Sequence, residues 1–289
     1  MKALFLCQIL LYFIINNISY SLIISNEFIK LKQSPIYNEM INDEQWNKLY
    51  ELSERFIDWN EKINLVSRKD IENYIPNHLL PSIAINKIKT FYDNESVIDI
   101  GTGGGLPGLP LAILNPNTEF TLLDSNKKKM MVVEDITKSL KLNNVKIKNV
   151  RAETIINDKY DYLLGRAVSA IPKFLSFSSH LLKDHVGHSI DGIDGIDGID
   201  GSGNNSNSNN NKDIHSISKS GLLYIKGGDF KEELLEAKIK EENTIKFPIS
   251  DLLNIDTDKF ILHIPAYEII HFRNRNRNSN RNNNRKNKR

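Results

Sequence analysis

The sequence has few of the residues that carry disulfide and metal chemistry. Its 289 residues include one cysteine, Cys7, which lies in the apolar N-terminal segment. An intramolecular disulfide needs two cysteines, so none can form, and a cysteine-based zinc site is excluded for the same reason. A bound metal would need histidine and carboxylate ligands. No partner cluster accompanies His185 and His188, and we expect no metal.

Long apolar runs are also missing. The longest, Leu4–Ile15, is a dozen mostly apolar residues after one lysine. This is the length of a secretory signal's apolar core and shorter than the roughly 20 residues of a membrane-spanning helix. Residues 1–24 are therefore predicted to be a signal-like targeting segment, with no stable membrane association after processing. The alternative is a short anchor, if Ile18–Ile24 extend the run. The polar residues 25–42 are predicted to be a transit sequence or a linker.

Two further segments have an unusual composition. Residues 184–220 contain four consecutive Ile-Asp-Gly triplets and an asparagine-rich run, and residues 271–289 contain six arginines, two lysines and no acid. Removing those eight cations from the 38 in the chain leaves 30 against 36 acidic residues, so the rest carries about −6. Both segments are predicted to be disordered. The basic tail is either a polycation that holds RNA phosphates or a product of biased codon usage.

The body of the chain, residues 43–270, alternates between strand and helix patterns. Apolar residues at helical spacing predict a helix over Asp43–Leu65 with Asp43 as its N-cap, the first of the N-terminal helices in 43–95. Alternation then predicts a parallel sheet with helices on both faces and ligands at the carboxyl ends of the strands. The predicted strands are Ser96–Ile100, Glu119–Asp124, Val145–Val150, Tyr160–Leu164 and Leu222–Lys226. The predicted helices between and after them are Pro107–Leu114, Asn126–Leu142, Ile171–Leu182 and Phe230–Lys240.

A glycine-rich loop, GTGGGLPG, follows the first strand. Gly103, Gly105 and Gly108 satisfy the dinucleotide pattern G-x-G-x-x-G, which is a weak match alone. Asp99, two residues before Gly101, suits the cationic end of S-adenosylmethionine better than a pyrophosphate. Asp124 ends the next strand, where a carboxylate accepts the ribose hydroxyls of either ligand. Its alternative role is to favour the dipole of the helix that follows.

Together, GTGGGLPGLPLA, FTLLDSNKKK, VRAE, GRAV and YIKGG resemble the bacterial small-subunit rRNA guanine-N7 methyltransferase family, also called the glucose-inhibited division protein B family. The upstream WNEKINLVS and NHLLPSI segments resemble its N-terminal helices. The resemblance covers residues 43–240 without the 184–220 insertion. It implies an α/β fold of the class I S-adenosylmethionine-dependent methyltransferase (Rossmann-like) type with an N-terminal helical extension. It also implies S-adenosyl-L-methionine as the cofactor.

The resemblance also implies a set of site residues. The methionine end is expected beside the loop, the ribose on Asp124, and the adenine beside Ala152 and Glu153. Arg166 is expected to face the cofactor or the RNA. The loop residues of the predicted cofactor site are Asp99, Gly101, Gly103, Gly105 and Leu106, and the predicted RNA contacts are His78, Lys127, Lys128, Arg166 and Lys226.

Two of these predictions carry alternatives. Lys127 and Lys128, with Lys129, either hold phosphates or form the solvated face of a helix. The family usually has an acid shortly after the residue that matches His78, whereas here Leu79, Leu80 and Pro81 follow. Pro81 is expected to alter the helix at this point and its contact with RNA.

Guanine N7 has a free lone pair at neutral pH, so the implied reaction needs no general base, and we assign no catalytic residue. The expected partner is small-subunit rRNA or a pre-ribosomal particle, and the chain is expected to be a monomer. A secreted rRNA methyltransferase would have no substrate. The signal-like start therefore indicates an organelle with bacterial-type ribosomes, a plastid of the apicoplast type in preference to a mitochondrion.

Three other functions remain open at this point: a methyltransferase for a small molecule or protein, an NAD-dependent oxidoreductase, and a non-catalytic RNA-binding or ribosome-assembly protein of the same fold.

Overall fold

The computed structural model of the protein describes residues 22–184 and 220–286. Most of the signal-like segment and nearly all of the low-complexity insertion lie outside these residues. Within the described ranges, no helix combines the length and the apolar character needed to cross a bilayer.

The described residues form one mixed sheet of seven strands in the order β3-β2-β1-β4-β5-β7-β6. Strands β1 to β5 run parallel, as predicted, whereas β7 is antiparallel to both β5 and β6. The prediction of a parallel sheet was therefore wrong at one edge. The strands are β1 Ser96–Ile100, β2 Glu119–Leu123, β3 Val145–Lys148, β4 Tyr162–Arg166, β5 Gly221–Lys226, β6 Ile245–Pro248 and β7 Phe260–Pro265.

The reversed strand pairs with β5 along its full length, from Gly221 opposite Pro265 to Lys226 opposite Phe260. All six of its residues are buried. A strand buried on both faces has a continuous apolar run and no alternation. The sequence therefore does not show whether such a strand is parallel or antiparallel to its neighbours.

Helices cover both faces of the sheet. Before β1 the chain is helical over 22–33 (α1), then forms α2 Pro35–Asn38, α3 Asp43–Lys62, α4 Arg68–Ile71, a π-helical turn Ile75–Leu79, α5 Leu80–Ile83 and α6 Ile85–Ile88. The later helices are α7 Gly108–Leu114, α8 Lys127–Ser139, α9 Ile171–Ser178, α10 Lys231–Glu236, α11 Ile249–Leu253 and α12 Ala266–Lys286. Short 3₁₀ turns occupy Ala152–Thr154, Ser179–Leu181 and Glu241–Asn243.

Residues 25–42, which were predicted to be a transit sequence or a linker, are part of the fold. Most of them are helical, and Phe28 of α1, Tyr37 of α2 and Ile41 of the connection to α3 are buried in the same core as Trp46 of α3. The rings of Phe28 and Trp46 meet edge to face with centroids 5.7 Å apart. A few apolar residues among polar neighbours find a partner surface only in the folded molecule, which explains why the polar composition was misleading.

The N-cap of the long helix α3 lies one residue earlier than predicted. Asn42, and not Asp43, is its N-cap: the Asn42 side chain accepts a hydrogen bond from the Gln45 backbone N–H, and the Gln45 side chain accepts one from the Asn42 N–H. This reciprocal pair is a capping box.

Helix α3 is also fixed to the body of the protein. Trp59 Nε1 donates to Asp135 of α8 at 2.8 Å, and Gln45 donates to the Leu114 carbonyl at the end of α7 at 3.1 Å.

The start of the basic tail is ordered, although the sequence predicts disorder from residue 271. It continues α12, where Arg273 is buried and donates to the Ser179 and Leu182 carbonyls at 3.2 and 3.3 Å. Arg273 also pairs with Asp184. Arg275 donates to the Ala237 carbonyl at 3.1 Å. The Leu182 and Ala237 carbonyls, each directly after a helical turn, receive hydrogen bonds from these two arginines, so the first part of the tail has a structural role.

Candidate active site

The glycine loop joins β1 to α7 at the carboxyl edge of the sheet. Gly101 and Gly103 have φ values of +72° and +59°, which side chains with a Cβ rarely adopt. The Gly101 and Thr102 N–H groups both donate to the Leu123 carbonyl, at 2.8 and 3.0 Å. The loop is therefore tied to the end of β2, with its backbone exposed to a cavity.

Asp99 does not reach that cavity, contrary to the prediction that it contacts the cofactor. Its Oδ2 accepts hydrogen bonds from Thr102 Oγ1 at 2.6 Å and from the Gly108 N–H at 2.9 Å. Burial raises the pKa of this carboxyl to about 6. The sequence cannot tell which face of β1 carries Asp99, and the structure directs it beneath the loop, where it fixes the loop's shape.

Asp124 lies where the prediction placed it, at the end of β2 and partly exposed to the cavity. Its Oδ2 accepts from the Gly103 N–H at 3.0 Å and its Oδ1 accepts from the Asn126 N–H at 2.8 Å. A carboxylate has about four acceptor positions. One position on each oxygen therefore remains for a diol.

The cavity has a volume of about 480 Å³. Seven of the predicted cofactor residues line it: Gly101, Gly103, Leu106, Asp124, Ala152, Glu153 and Arg166. Asp99 and Gly105 do not, and a Cβ on Gly105 would meet Leu109 inside the fold. Additional lining residues not anticipated from the sequence include Thr102, Ser125, Lys129, Arg151, Val168 and Phe177.

One wall of the cavity comes from the N-terminal helical unit, which the sequence did not suggest. Phe56 of α3 and the following Leu65 and Val66 line it. These residues press on the loop: a Cβ on Gly104 would lie 2.5 Å from Phe56 Cε2 and 3.2 Å from Leu65 Cδ1. Glycine is thus required at position 104 for close packing. Phe56 and Leu65 are far from Gly104 in the sequence, so no local sequence pattern predicts this contact.

Arg166 ends β4 on the other side of β1 from Asp124. Its Nη1 lies 2.9 Å from His78 Nδ1. Burial and the Arg166 cation lower the pKa of His78 to about 4, so the ring is neutral at physiological pH and Nδ1 accepts the hydrogen bond. His78 is buried and does not line the cavity. The prediction that it contacts RNA was wrong, because the helical unit packs it against Arg166.

The predicted RNA-binding lysines separate into two groups. Lys127 and Lys128 are exposed in the first turn of α8, and within the described ranges neither pairs with a carboxylate. Lys226 is held instead by Glu233 of α10, with Nζ 2.6 Å from Oε1. Its side chain is only 16% exposed, so it is part of the fold and the RNA contact predicted for it was wrong.

Comparison with known proteins agrees with this geometry. A family model described as "rRNA small subunit methyltransferase G" matches residues 45–188. The protein of that name from Flavobacterium psychrophilum is 37% identical over 222 residues, covering 76% of this chain and 90% of the relative. The one from Christiangramia forsetii is 35% identical over 232 residues, covering 79% and 94%.

The chain belongs to the rRNA small subunit methyltransferase G family. The Bacteroides fragilis relative is 45% identical over 128 residues, covering 44% of this chain and 62% of the relative. The predicted class I methyltransferase fold is confirmed, including its N-terminal helical extension. The protein is a methyltransferase and its cofactor is S-adenosylmethionine.

The cavity fits this cofactor. The Asp124 carboxylate keeps acceptor positions for the ribose hydroxyls. The Gly101, Thr102 and Gly103 N–H groups already donate to Leu123 and Asp124, so they are not free to bind a pyrophosphate. Ala152 and Glu153 lie beyond β3, at the end where the resemblance places the adenine.

In the described part of the chain, His, Cys, Asp and Glu residues form no cluster of three suited to a metal ion.

Proposed function

We propose that the protein transfers the methyl group of S-adenosylmethionine to N7 of a guanine in the small-subunit rRNA of an organellar ribosome. The curated relatives are named as small-subunit rRNA methyltransferases, which supports the RNA substrate. When bound, S-adenosylmethionine supplies an activated methyl group. Gly101, Gly103 and Asp124 would hold its methionine and ribose parts, with Ala152 and Glu153 beside the adenine.

The observation that carries the choice of N7 is the chemistry of the cavity beside β4. The charged side chain there is the guanidinium of Arg166, which cannot take a proton at physiological pH. A methyl acceptor that must lose a proton would need a base at this position. Guanine N7 needs none, and its neighbour O6 is an acceptor that a guanidinium recognises.

The rate then depends on how the chain aligns the acceptor with the methyl group. Holding two reactants in line lowers the barrier by roughly 7–11 kcal/mol. Phe56, Leu65 and Leu106 form an apolar wall on one side of the cavity, and the loop and Asp124 fix the donor's place.

Cations at the rim of the cavity support an RNA partner. Arg151 and Lys129 line the cavity, and Lys127 and Lys128 begin the helix that follows Asp124. Within the described residues none of these four cations pairs with a carboxylate. The N7 edge of guanine is inaccessible in an A-form helix, so the substrate is a loop or an unfinished small subunit, and the chain acts on it as a monomer.

Methyl transfer from labelled S-adenosylmethionine to purified RNAs tests the substrate class. We expect the full chain to label bacterial-type small-subunit rRNA, free or in an immature particle, and to leave large-subunit rRNA and tRNA unlabelled. Labelling that does not discriminate between these RNAs, or transfer of the methyl group to a protein or a small molecule in place of RNA, would contradict the proposal.

We further propose that residues 1–21 direct the protein through the secretory route to a plastid of the apicoplast type, with the mitochondrion as the alternative. Residues 22–41 pack into the core, so a truncated reporter fusion would expose apolar surface. The full chain fused to a fluorescent protein at its C-terminus is the better probe, compared with the same fusion lacking residues 2–21. Diffuse cytosolic fluorescence of the full-length fusion would refute this targeting.

A further inference from the structure

We propose that His78 positions Arg166 for the methyl acceptor: His78 Nδ1 accepts a hydrogen bond from one Arg166 Nη and so directs the remaining guanidinium N–H groups toward O6 of the guanine. This inference rests on the proposed function and assigns specificity to a pair of residues within it. In this role Arg166 contacts the acceptor, and His78 acts through Arg166.

Arg166 has the properties of a ligand-binding group. Its side chain lines the cavity, and burial lowers its pKa. Among the described residues, its one polar contact is His78, and no carboxylate lies within ion-pair distance. A guanidinium has five N–H donors. Most of them are therefore left for a ligand that enters the cavity.

The position of Arg166 favours the acceptor over the cofactor. The residues that hold the cofactor follow β1, β2 and β3, whereas β4 lies on the opposite side of β1 from β2. The acceptor must approach from that free side. A single N–H donated to O6 leaves the N7 lone pair available, while the same donor would repel the amino group that adenine carries at this position.

The surroundings of His78 hold its ring in place. His78 belongs to the π-helical turn before α5, and such turns are frequent at functional sites. The Tyr74 ring stacks on it with centroids 6.2 Å apart and an interplanar angle of 23°. On its far side, Asp70 Oδ2 lies 3.7 Å from Nε2.

The charges around His78 keep Nδ1 an acceptor. Burial and the positive charge of Arg166 oppose protonation most strongly, and Lys259 adds to them, whereas Asp70 favours it. A protonated ring would present an N–H to Arg166, and the pair would separate. The pair is therefore formed at physiological pH.

A double-mutant cycle in the full chain tests this proposal. The variants are His78→Leu, Arg166→Gln and the double variant, with His78→Asn as the conservative control, since its side-chain oxygen can replace Nδ1 as an acceptor. The measurements are kcat and KM for small-subunit rRNA, together with the Kd of S-adenosylmethionine and the thermal midpoint of each variant.

We expect His78→Leu to lower kcat for rRNA about 10- to 100-fold, the effect of losing one hydrogen bond to a charged group. His78→Asn should recover most of the loss, and the Kd of S-adenosylmethionine should change less than threefold. In the Arg166→Gln background His78→Leu should lower kcat less than twofold, because its effect passes through Arg166.

The proposal would be overturned if the losses in kcat from His78→Leu and Arg166→Gln multiply in the double variant, or if His78→Leu and His78→Asn lower kcat equally. His78 would then be a packing residue. A parallel rise in the Kd of S-adenosylmethionine would overturn it in favour of a contact with the cofactor's carboxylate. If His78→Leu fails to fold, His78→Ala, with and without Arg166→Gln, gives the same comparison. A wild-type chain that binds the cofactor but methylates no rRNA would instead refute the proposed function.

Discussion

The Asp124 carboxylate offers the most direct perturbation of the cofactor site. In the structure both of its oxygens already accept a backbone hydrogen bond, from the Gly103 and Asn126 N–H groups at 3.0 and 2.8 Å. These two bonds aim the carboxylate into the cavity. The bonds it would add on binding are those from the two ribose hydroxyls.

The magnitude follows from those two added bonds. A hydrogen bond to a charged group contributes about 1.5–3 kcal/mol. The loss of the backbone bonds affects the free and bound protein alike, so it largely cancels in the affinity. Asp124→Ala is therefore expected to weaken S-adenosylmethionine binding by about 3 kcal/mol, or about 150-fold in Kd.

Isothermal titration of the full chain with S-adenosylmethionine, S-adenosylhomocysteine and NAD measures this effect. Asp124→Asn is the matched variant: it keeps the shape but turns an NH₂ toward Gly103 or Asn126, and we expect a loss of about tenfold. Asp93→Ala, an exposed acid before β1, should leave the Kd unchanged. A Kd for Asp124→Ala within threefold of wild type would refute the assigned role, and tight binding of NAD would contradict the assigned cofactor.

Three further perturbations test the fold around the site. Gly104→Ala should lower the free energy of unfolding by about 1–3 kcal/mol, because the new Cβ meets Phe56 at 2.5 Å, and Phe56→Leu should recover part of the loss in urea unfolding. The folded-state pKa of His78 is about 4, below the usual 6.5, so its contribution to stability is present above pH 6.5 and is lost as the pH falls toward 4. The stability difference between wild type and His78→Asn should therefore shrink with pH over that range, by at most about 3 kcal/mol. Arg273→Ala should cost about 1–3 kcal/mol, since it leaves the buried Leu182 carbonyl without a hydrogen-bond donor, whereas the exposed Arg277→Ala should cost less than about 0.5 kcal/mol.

Each of these expectations has an outcome that would contradict it. Gly227 has open surroundings, with its nearest contact 3.4 Å from an added Cβ. If Gly104→Ala unfolds at the same urea concentration as Gly227→Ala, Phe56 does not pack closely enough on position 104 to require glycine there. A constant stability difference between pH 7 and 4 would mean that His78 titrates normally in the fold. If Arg273→Ala and Arg277→Ala lower the free energy of unfolding equally, Arg273 has no structural role and the whole tail is disordered.

Features determined by neighbouring residues could be predicted from the sequence. The glycine loop follows a short buried strand, and Asp124 follows the next one, so both positions could be deduced from local spacing. The predicted boundaries of α9 and α10 were too long by a few residues because helix ends depend on capping and packing.

Features that depend on the direction of a side chain or on distant packing could not be predicted. Asp99 lies near the end of β1 as expected but is directed under the loop. Lys226 ends β5 as expected but meets Glu233. The wall formed by Phe56 and the pairing of His78 with Arg166 both require the N-terminal helical unit to dock on the sheet edge. Only the assembled fold brings these groups together.

The chemical position of the transferred methyl group tests the central claim most directly. The full chain is incubated with small-subunit rRNA and S-adenosylmethionine carrying a heavy methyl group, and the RNA is digested to nucleosides for mass spectrometry. We expect heavy 7-methylguanosine approaching one per RNA molecule, with little in the Asp124→Ala reaction. A heavy methyl group on another nucleoside or another atom of guanosine, or none on the RNA of a chain that binds S-adenosylmethionine, would contradict it.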